Sequence, residues 1–145
     1  MAEKIVLLAI YAHIGLIIYI YIHLGNVRGA QLKNLRAQGK EEAIKPLAYD
    51  GTGWPLPIRY VQNALSSQFE LPIIFYVLSL VALATGTADY IVAAFSVAFV
   101  ALRFGHAYVH IQTNFVPLRY KLFLYGVYVI VAQLIYLALR TLGAF

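Results

Sequence analysis

Four stretches of the sequence are long and apolar enough to cross a membrane, and they restrict the fold more than any other feature. The stretches are residues 5–24, 57–85, 90–110 and 118–142. A hydrocarbon layer about 30 Å thick takes about 20 helical residues to cross. Because lipid offers no partners to backbone N–H and C=O groups, spanning segments form helices or closed barrels, and these stretches lack the alternation of a barrel strand. The sequence therefore predicts an all-α membrane protein, a four-helix bundle in a single domain.

The composition agrees with a membrane protein and excludes several other classes. Hydrophobic residues make up 62% of the chain and charged residues 12%, against about 25% charged residues in soluble domains. The mean hydropathy is +0.76. The absence of cysteine excludes disulfides, thiolate metal ligands and a cysteine nucleophile, and we predict no metal site. We also predict no nucleic-acid partner, because basic residues interleaved with aromatic ones on a soluble surface are absent.

The basic residues are distributed unevenly among the connections. Eight of the eleven Lys and Arg residues lie in or beside loops one and three: Arg28, Lys33, Arg36, Lys40, Lys45, Arg59, Arg119 and Lys121. The connection "GTAD" between helices two and three has no cation. Positive charge marks the cytoplasmic side, so we expect the long loop at residues 25–56 and the third loop to be cytoplasmic and both termini to be outside. Leu32, Leu35 and Ile44 leave two alternatives for the long loop, an interfacial amphipathic helix or a solvated segment.

Helix two carries a polar stripe that ends at an acid. At about 100° per residue, Arg59, Asn63, Ser67 and Glu70 fall within an arc of about 80°. A charged side chain at the middle of a membrane helix costs about 3 kcal/mol unless it is paired. Glu70 must therefore be protonated, partnered or exposed to a wet cavity. Pro72 is expected to bend the turn that carries Glu70, since proline leaves the carbonyl of the residue four positions earlier without its helical donor.

Helix three carries a second polar stripe near its cytoplasmic end. In "RFGHAYVH", the side chains of Arg103, His106 and His110 fall within about 60° of arc. The two stripes lie at similar depth, which predicts one site. Arg103 is the expected counter-charge of Glu70, because a bidentate pair is the strongest way to hold either charge in a low dielectric. A purely structural ion pair with satisfied histidines remains the alternative.

The order and spacing of these motifs resemble a known family, the membrane-associated proteins of eicosanoid and glutathione metabolism, abbreviated MAPEG. Helix one ends in "GNVRG", similar to the family's Gly-x-Val-Arg, and helix two carries "SQFELP" in place of an Asn-x-x-Glu with a nearby proline. Helix three and its exit read "RFGHAYVHIQTNFVPLR", similar to an Arg-x-x-His followed by Pro-x-Arg. The resemblance extends over nearly the whole chain.

The resemblance implies a homotrimer that binds glutathione between neighbouring subunits near the cytoplasmic side, with a lipophilic substrate approaching from the bilayer. Arg119 would act on the thiol as the catalytic residue. The glutathione-binding residues implied are Arg28, Asn63, Ser67, Glu70, Arg103, His106 and His110. For Arg119 and its neighbour Lys121, ordinary cytoplasmic flank charge is the alternative interpretation.

Three positions depart from the family pattern. Ser67 stands where the family usually has asparagine, Asn63 where it often has arginine, and His110 where some members have tyrosine. A second alignment matches Arg59 and Asn63 to the family's Arg-x-x-x-Asn spacing, but it leaves a serine at the position of the acid. The alignment that keeps Glu70 is preferred because an acid in a membrane span requires an explanation.

The residues and the resemblance together predict an integral membrane protein, expected in a bacterial inner membrane. Its predicted activity is that of a glutathione-dependent transferase or peroxidase acting on lipophilic electrophiles. Two alternatives remain. One is a non-catalytic lipid-binding protein of the same fold. The other is a haem or metal protein that would use His13 with His106 or His110 as ligands inside the bundle.

Overall fold

The computed structural model describes residues 1–49 and 53–143, and within them the chain is helical with no strand. The α-helices are α1 (Ala2–Ala37), α2 (Lys45–Tyr49), α3 (Leu56–Ser66), α4 (Leu71–Ala84), α5 (Tyr90–Gln112) and α6 (Val116–Thr141). Short 3₁₀ turns precede α2 at Glu41–Ala43 and join α3 to α4 at Ser67–Phe69.

Four helical segments of the described chain are long and apolar enough to span a membrane, as the sequence predicts. They are α1, the segment Leu56–Ala84 that contains α3 and α4, α5, and α6. The predicted bounds of the second, third and fourth segments agree with the structure to within two residues at every end. The predicted four-helix membrane fold is therefore confirmed.

The first helix is longer than its apolar stretch. α1 continues past Leu24 to Ala37 and ends where Gly39 adopts a φ of +68°. The extension contains Leu32 and Leu35, which are partly buried against a hydrophobic cluster formed with α3. Hydropathy therefore marks the end of the apolar stretch rather than the end of the helix, because polar residues with good helix propensity prolong α1.

α5 is the central helix of the bundle. It packs against α1 on one side, against α3 and α4, and against α6. The hydrophobic core has two clusters. The cluster nearer the chain termini includes Ile10 of α1, Phe75 of α4 and Val100 of α5. The cluster nearer the start of α3 includes Leu16 of α1, Leu65 of α3 and Ala107 of α5. On each segment a buried polar side chain lies between the two clusters, namely His13, Gln68 and Arg103.

The second membrane segment is interrupted at Glu70. A 3₁₀ turn at Ser67–Phe69 ends α3, Glu70 has non-helical dihedral angles, and α4 restarts at Leu71 with Pro72 in its first turn. Proline is tolerated in a first turn because its missing N–H would have no partner there. The predicted bend next to Pro72 is confirmed, and it makes Glu70 the residue that precedes a new helix.

Candidate functional site

Arg103 is the most deeply buried cation of the described chain, with 1% of its surface exposed. Its Nη2 donates to the carbonyl oxygen of Ser67 at 2.8 Å and to the Ser67 hydroxyl at 3.1 Å. Its Nε donates to Oε1 of Gln68 at 3.3 Å. The guanidinium is thus held by the 3₁₀ turn between α3 and α4. This turn exposes a main-chain carbonyl that a continuous helix would have used internally.

The predicted direct ion pair between Arg103 and Glu70 is wrong. No Glu70 carboxylate oxygen lies within 4.0 Å of a cationic nitrogen among the described residues. The break before α4 turns the Glu70 side chain outward, and the Ser67 carbonyl and the Gln68 amide take its place as acceptors. Glu70 and Arg103 therefore belong to one region without contacting each other.

A cavity of about 430 Å³ opens beside this turn, between α3, α5 and α6. Its size lies within the range of about 300–1,000 Å³ that is usual for small-molecule sites. The residues that line it are Asn63, Ser66, Ser67, Glu70, His106, His110, Val116, Arg119, Tyr120 and Phe123. The structure thus brings together six of the eight predicted site residues, and Arg103 lies directly behind Ser67 in the cavity wall.

Several buried polar atoms around the cavity have no hydrogen-bond partner in the chain. They are Nδ1 of His106, Nδ1 of His110 and Nη1 of Arg103. The two imidazole rings lie on successive turns of α5, with their centroids 5.7 Å apart. A buried polar atom without a partner costs about 1–3 kcal/mol, so native structures rarely leave three together without a ligand or water. The three atoms are buried, so this polar capacity lies behind the surface of the cavity rather than on it.

Arg119 is placed at the cavity by the start of α6. Pro117 lies in the first turn of this helix, and Arg119 follows it, half-buried. Nη1 of Arg119 donates to Oδ1 of Asn114, the middle of the three residues between α5 and α6. Asn114 has a φ of +47°, in the left-handed region that asparagine tolerates better than most residues. A side chain in the connection thus restrains the guanidinium that faces the cavity.

Arg28 does not line this cavity. Its Nη2 donates to Oε1 of Gln62 at 2.8 Å, and its guanidinium carbon lies 5.2 Å from the centroid of the Trp54 ring. Trp54 is itself buried. The contribution of Arg28 to ligand binding stays a prediction. In this chain Arg28 joins the extended end of α1 to α3.

The structure does not favour the haem alternative. Nδ1 of His13 lies 2.6 Å from the Tyr76 hydroxyl, and its Nε2 lies 3.2 Å from Oε1 of Gln68. Both ring nitrogens are therefore engaged, and iron ligation would have to break one of these hydrogen bonds. Within residues 1–49 and 53–143, no group of three His, Cys, Asp or Glu side chains has the geometry of a metal site.

The sequence analysis missed Gln68 and Asn114. Gln68 lies nearly opposite the predicted stripe of helix two, on the side expected to be apolar. A polar residue on that side of a membrane helix was the available signal, since it must find partners inside the bundle. No pattern in the sequence indicates that Asn114 holds Arg119, because the contact depends on the turn between α5 and α6.

The fold and the site together define a class of protein, a four-helix membrane protein with a polar cavity between three of its membrane segments. The MAPEG family model matches residues 6–139, nearly the whole chain, and the chain belongs to this family. The resemblance inferred from the motifs is therefore confirmed. No curated protein and no solved structure matches the chain significantly.

Proposed function

We propose that this protein is a glutathione-dependent transferase or peroxidase that acts on lipophilic electrophiles at the membrane. The observation that carries the proposal is the cavity beside the 3₁₀ turn, in a chain of the MAPEG family. An acid, an arginine and two histidines with unpartnered nitrogens meet there, at the end of apolar helices. A water-soluble thiol and a lipid-soluble substrate can both reach such a position.

The residue types around the cavity suit the charges of glutathione. The peptide has one ammonium, two carboxylates and one thiol. Glu70 lines the cavity without a cationic partner within 4.0 Å in the described chain, so it can pair with the ammonium. The imidazoles of His106 and His110, which line the cavity, supply donors for the carboxylates, and the positive charge of Arg103 lies behind Ser67. Asn63 and Ser67 add neutral hydrogen-bonding groups to the same wall.

Arg119 is the residue proposed to activate the thiol. An unperturbed thiol has a pKa of about 8.5 and is mostly protonated at neutral pH, and a guanidinium nearby lowers that pKa by favouring the thiolate. The thiolate sulfur would add to an electrophilic carbon, with a proton taken up by the adduct, or displace a leaving group from it, and form a thioether. With a lipid hydroperoxide the sulfur would attack the terminal oxygen of the O–O bond, which releases the alcohol and leaves a sulfenic acid. A second glutathione would convert that sulfenic acid to the disulfide and water. The hydrogen bond to Asn114 keeps the Arg119 guanidinium from folding away into solvent.

The assembly proposed is a homotrimer with the site between neighbouring subunits. Asn63, Ser66 and Glu70 are exposed on a membrane-spanning segment of the single chain. An uncovered polar row facing lipid is unfavourable, so a second copy is the natural cover. Native mass spectrometry in detergent should give three times the 16.2 kDa subunit mass, and a monomer at all detergent concentrations would contradict the trimer.

The location proposed is a bacterial inner membrane, with loops one and three cytoplasmic and both termini outside. The distribution of Lys and Arg described above supports the orientation. Because the chain has no cysteine, single cysteines can report the topology. An impermeant thiol reagent added to intact spheroplasts should label Glu3→Cys and spare Lys40→Cys. The opposite pattern would reverse the orientation.

Isothermal titration of the detergent-solubilised protein with glutathione tests the proposal. We expect saturable binding, weakened about tenfold or more by Glu70→Gln and by Arg119→Ala, which corresponds to at least about 1.4 kcal/mol each. Glu3→Gln makes the same acid-to-amide change and Lys121→Ala removes another cation, both at exposed positions outside the cavity, and each should leave the affinity unchanged. Absence of saturable binding by the unmodified protein would overturn the proposal.

One observation favours a second candidate, a non-catalytic lipid-binding protein of the same fold. An apolar cavity of about 500 Å³ lies between α1 and α5 and is lined by residues that include Leu16, Phe104 and Tyr108. A fatty acyl chain would suit its lining. Binding of fatty acid without conjugation or peroxidase activity toward several electrophiles would favour this candidate over the enzyme.

A further inference from the structure

The polar side chains between the two hydrophobic clusters form a single hydrogen-bond network across three membrane segments. It runs from Tyr76 of α4 through His13 of α1 and Gln68 of the 3₁₀ turn to Arg103 of α5. His13 has no exposed surface, and Gln68 and Arg103 have 1% each. Polar groups buried this deeply persist only when their partners are in place, so the hydrogen-bond network constrains the packing around it.

The direction of each hydrogen bond follows from its chemistry. Nε2 of Gln68 donates to the carbonyl oxygen of Ala64 at 2.9 Å, and a carbonyl can only accept. Oε1 of Gln68 therefore faces the other way, where it accepts from Nε of Arg103 and from Nε2 of His13. An imidazolium here would bury a second positive charge beside Arg103, so the neutral ring fits. Nδ1 of His13 then accepts from the Tyr76 hydroxyl.

We propose that His13 and Tyr76, acting through Gln68, are positioning residues that fix the Arg103 guanidinium behind the cavity wall. Gln68 accepts a hydrogen bond from Nε of Arg103, and Ser67 accepts from Nη2. Nη1 is therefore the nitrogen of this guanidinium without a partner. Without the hydrogen bond from His13, the Gln68 amide loses one of the contacts that orient it toward Arg103. Neither His13 nor Tyr76 lines the cavity, so their effect on a ligand is indirect. This inference rests on the proposed function for its ligand, glutathione.

The first measurement is glutathione affinity by isothermal titration of the full-length protein. Tyr76→Phe removes the hydroxyl that donates to His13 and keeps the ring, and His13→Leu removes both hydrogen bonds. We expect each variant to bind glutathione about tenfold more weakly. His13→Gln supplies an amide donor and an acceptor and should recover most of the affinity. The control Tyr11→Phe makes the same change at a position of α1 that is 62% exposed, and its affinity should match the unmodified protein.

The second measurement needs no ligand. Thermal midpoints in detergent are compared for Tyr76→Phe, Arg103→Lys and the double variant. If the hydrogen-bond network links the two residues, the thermal midpoint of the double variant falls by less than the sum of the two single decreases, because either change already breaks the connection. Tyr11→Phe combined with Arg103→Lys should give additive decrements.

The outcomes separate this inference from the proposed function. If the unmodified protein binds glutathione, unchanged affinity in Tyr76→Phe would overturn the positioning role even where the midpoint falls, since the residue would then be structural alone. If the unmodified protein does not bind glutathione, the proposed function fails and the thermal comparison decides the inference by itself. Additive decreases in the thermal midpoint overturn the positioning role in either case.

Discussion

Arg119 illustrates how one side chain is placed by a residue that shares no helix with it. Its guanidinium is anchored to Asn114, whose backbone lies in the left-handed region at a φ of +47°. Asparagine thus has two roles at this position. It tolerates the turn between α5 and α6, and its side-chain oxygen accepts from Arg119. Glycine would meet the backbone requirement without supplying the acceptor.

The variant Asn114→Gly separates these two roles. We expect a thermal midpoint equal to or above that of the unmodified protein, because glycine adopts the left-handed conformation freely. Glutathione affinity should fall by about threefold to tenfold, since a hydrogen bond to a charged group contributes about 1.5–3 kcal/mol and part of it is replaced by water. Asn114→Asp keeps an acceptor and should retain the affinity. Unchanged binding by Asn114→Gly would show that the anchor has no part in the site.

At the scale of the helix, α5 owes its start to Asp89. The Asp89 carboxylate accepts from the backbone N–H groups of Ile91 and Val92 at 3.0 Å, and it also accepts from the Tyr136 hydroxyl. Arg140 lies 3.8 Å away. Burial alone would raise the pKa of this carboxyl. The hydrogen bonds and the arginine outweigh burial and hold the pKa below its usual value of 3.8.

The depressed pKa of Asp89 predicts a pH-dependent contribution to stability. A carboxyl whose pKa is lower in the folded state stabilises the protein above the unfolded pKa, and this contribution is lost as the pH falls through the folded value. Asp89→Ala should therefore lower the free energy of unfolding by about 1 kcal/mol at neutral pH, as for other helix caps. The difference from the unmodified protein should shrink as the pH falls below 3.8.

Thermal unfolding in detergent at several pH values provides the measurement. Glu41→Ala is the matched control, because Glu41 is an exposed acid in the 3₁₀ turn before α2. It should change stability by no more than about 0.5 kcal/mol at any pH. A destabilisation by Asp89→Ala that stays constant down to the lowest pH would contradict the electrostatic part of this account.

The elements were predictable from the sequence to different degrees for physical reasons. Apolar length determines where a membrane helix can lie, so the spans of α4, α5 and α6 follow from hydropathy. The end of α1 does not, because Leu32 and Leu35 pack against a hydrophobic cluster built from several elements, and hydropathy alone does not reveal such packing. The prediction of a polar stripe on helix two assumed a continuous helix. The break at Glu70 redirected that acid and opened the Ser67 carbonyl to Arg103.

At the scale of the whole molecule, the site depends on all four membrane segments. α1 supplies His13, the second segment supplies Ser67 and Glu70, α5 supplies Arg103, and α6 supplies Arg119 at its start. Sequence motifs identified most of these residues, because they are charged or polar in spans where lipid disfavours them. Which side chains touch could not be predicted, since partners come from segments far apart in sequence.

The central claim is that the cavity holds glutathione as its thiolate beside Arg119. Ultraviolet difference absorbance of the purified protein with glutathione at neutral pH tests it most directly, because a thiolate absorbs where a thiol does not. The account predicts a thiolate band in the unmodified protein. The band should be lost in Arg119→Gln and kept in Arg36→Gln, which alters an exposed arginine at the end of α1. Bound glutathione without this band, or a full band in Arg119→Gln, would contradict the account.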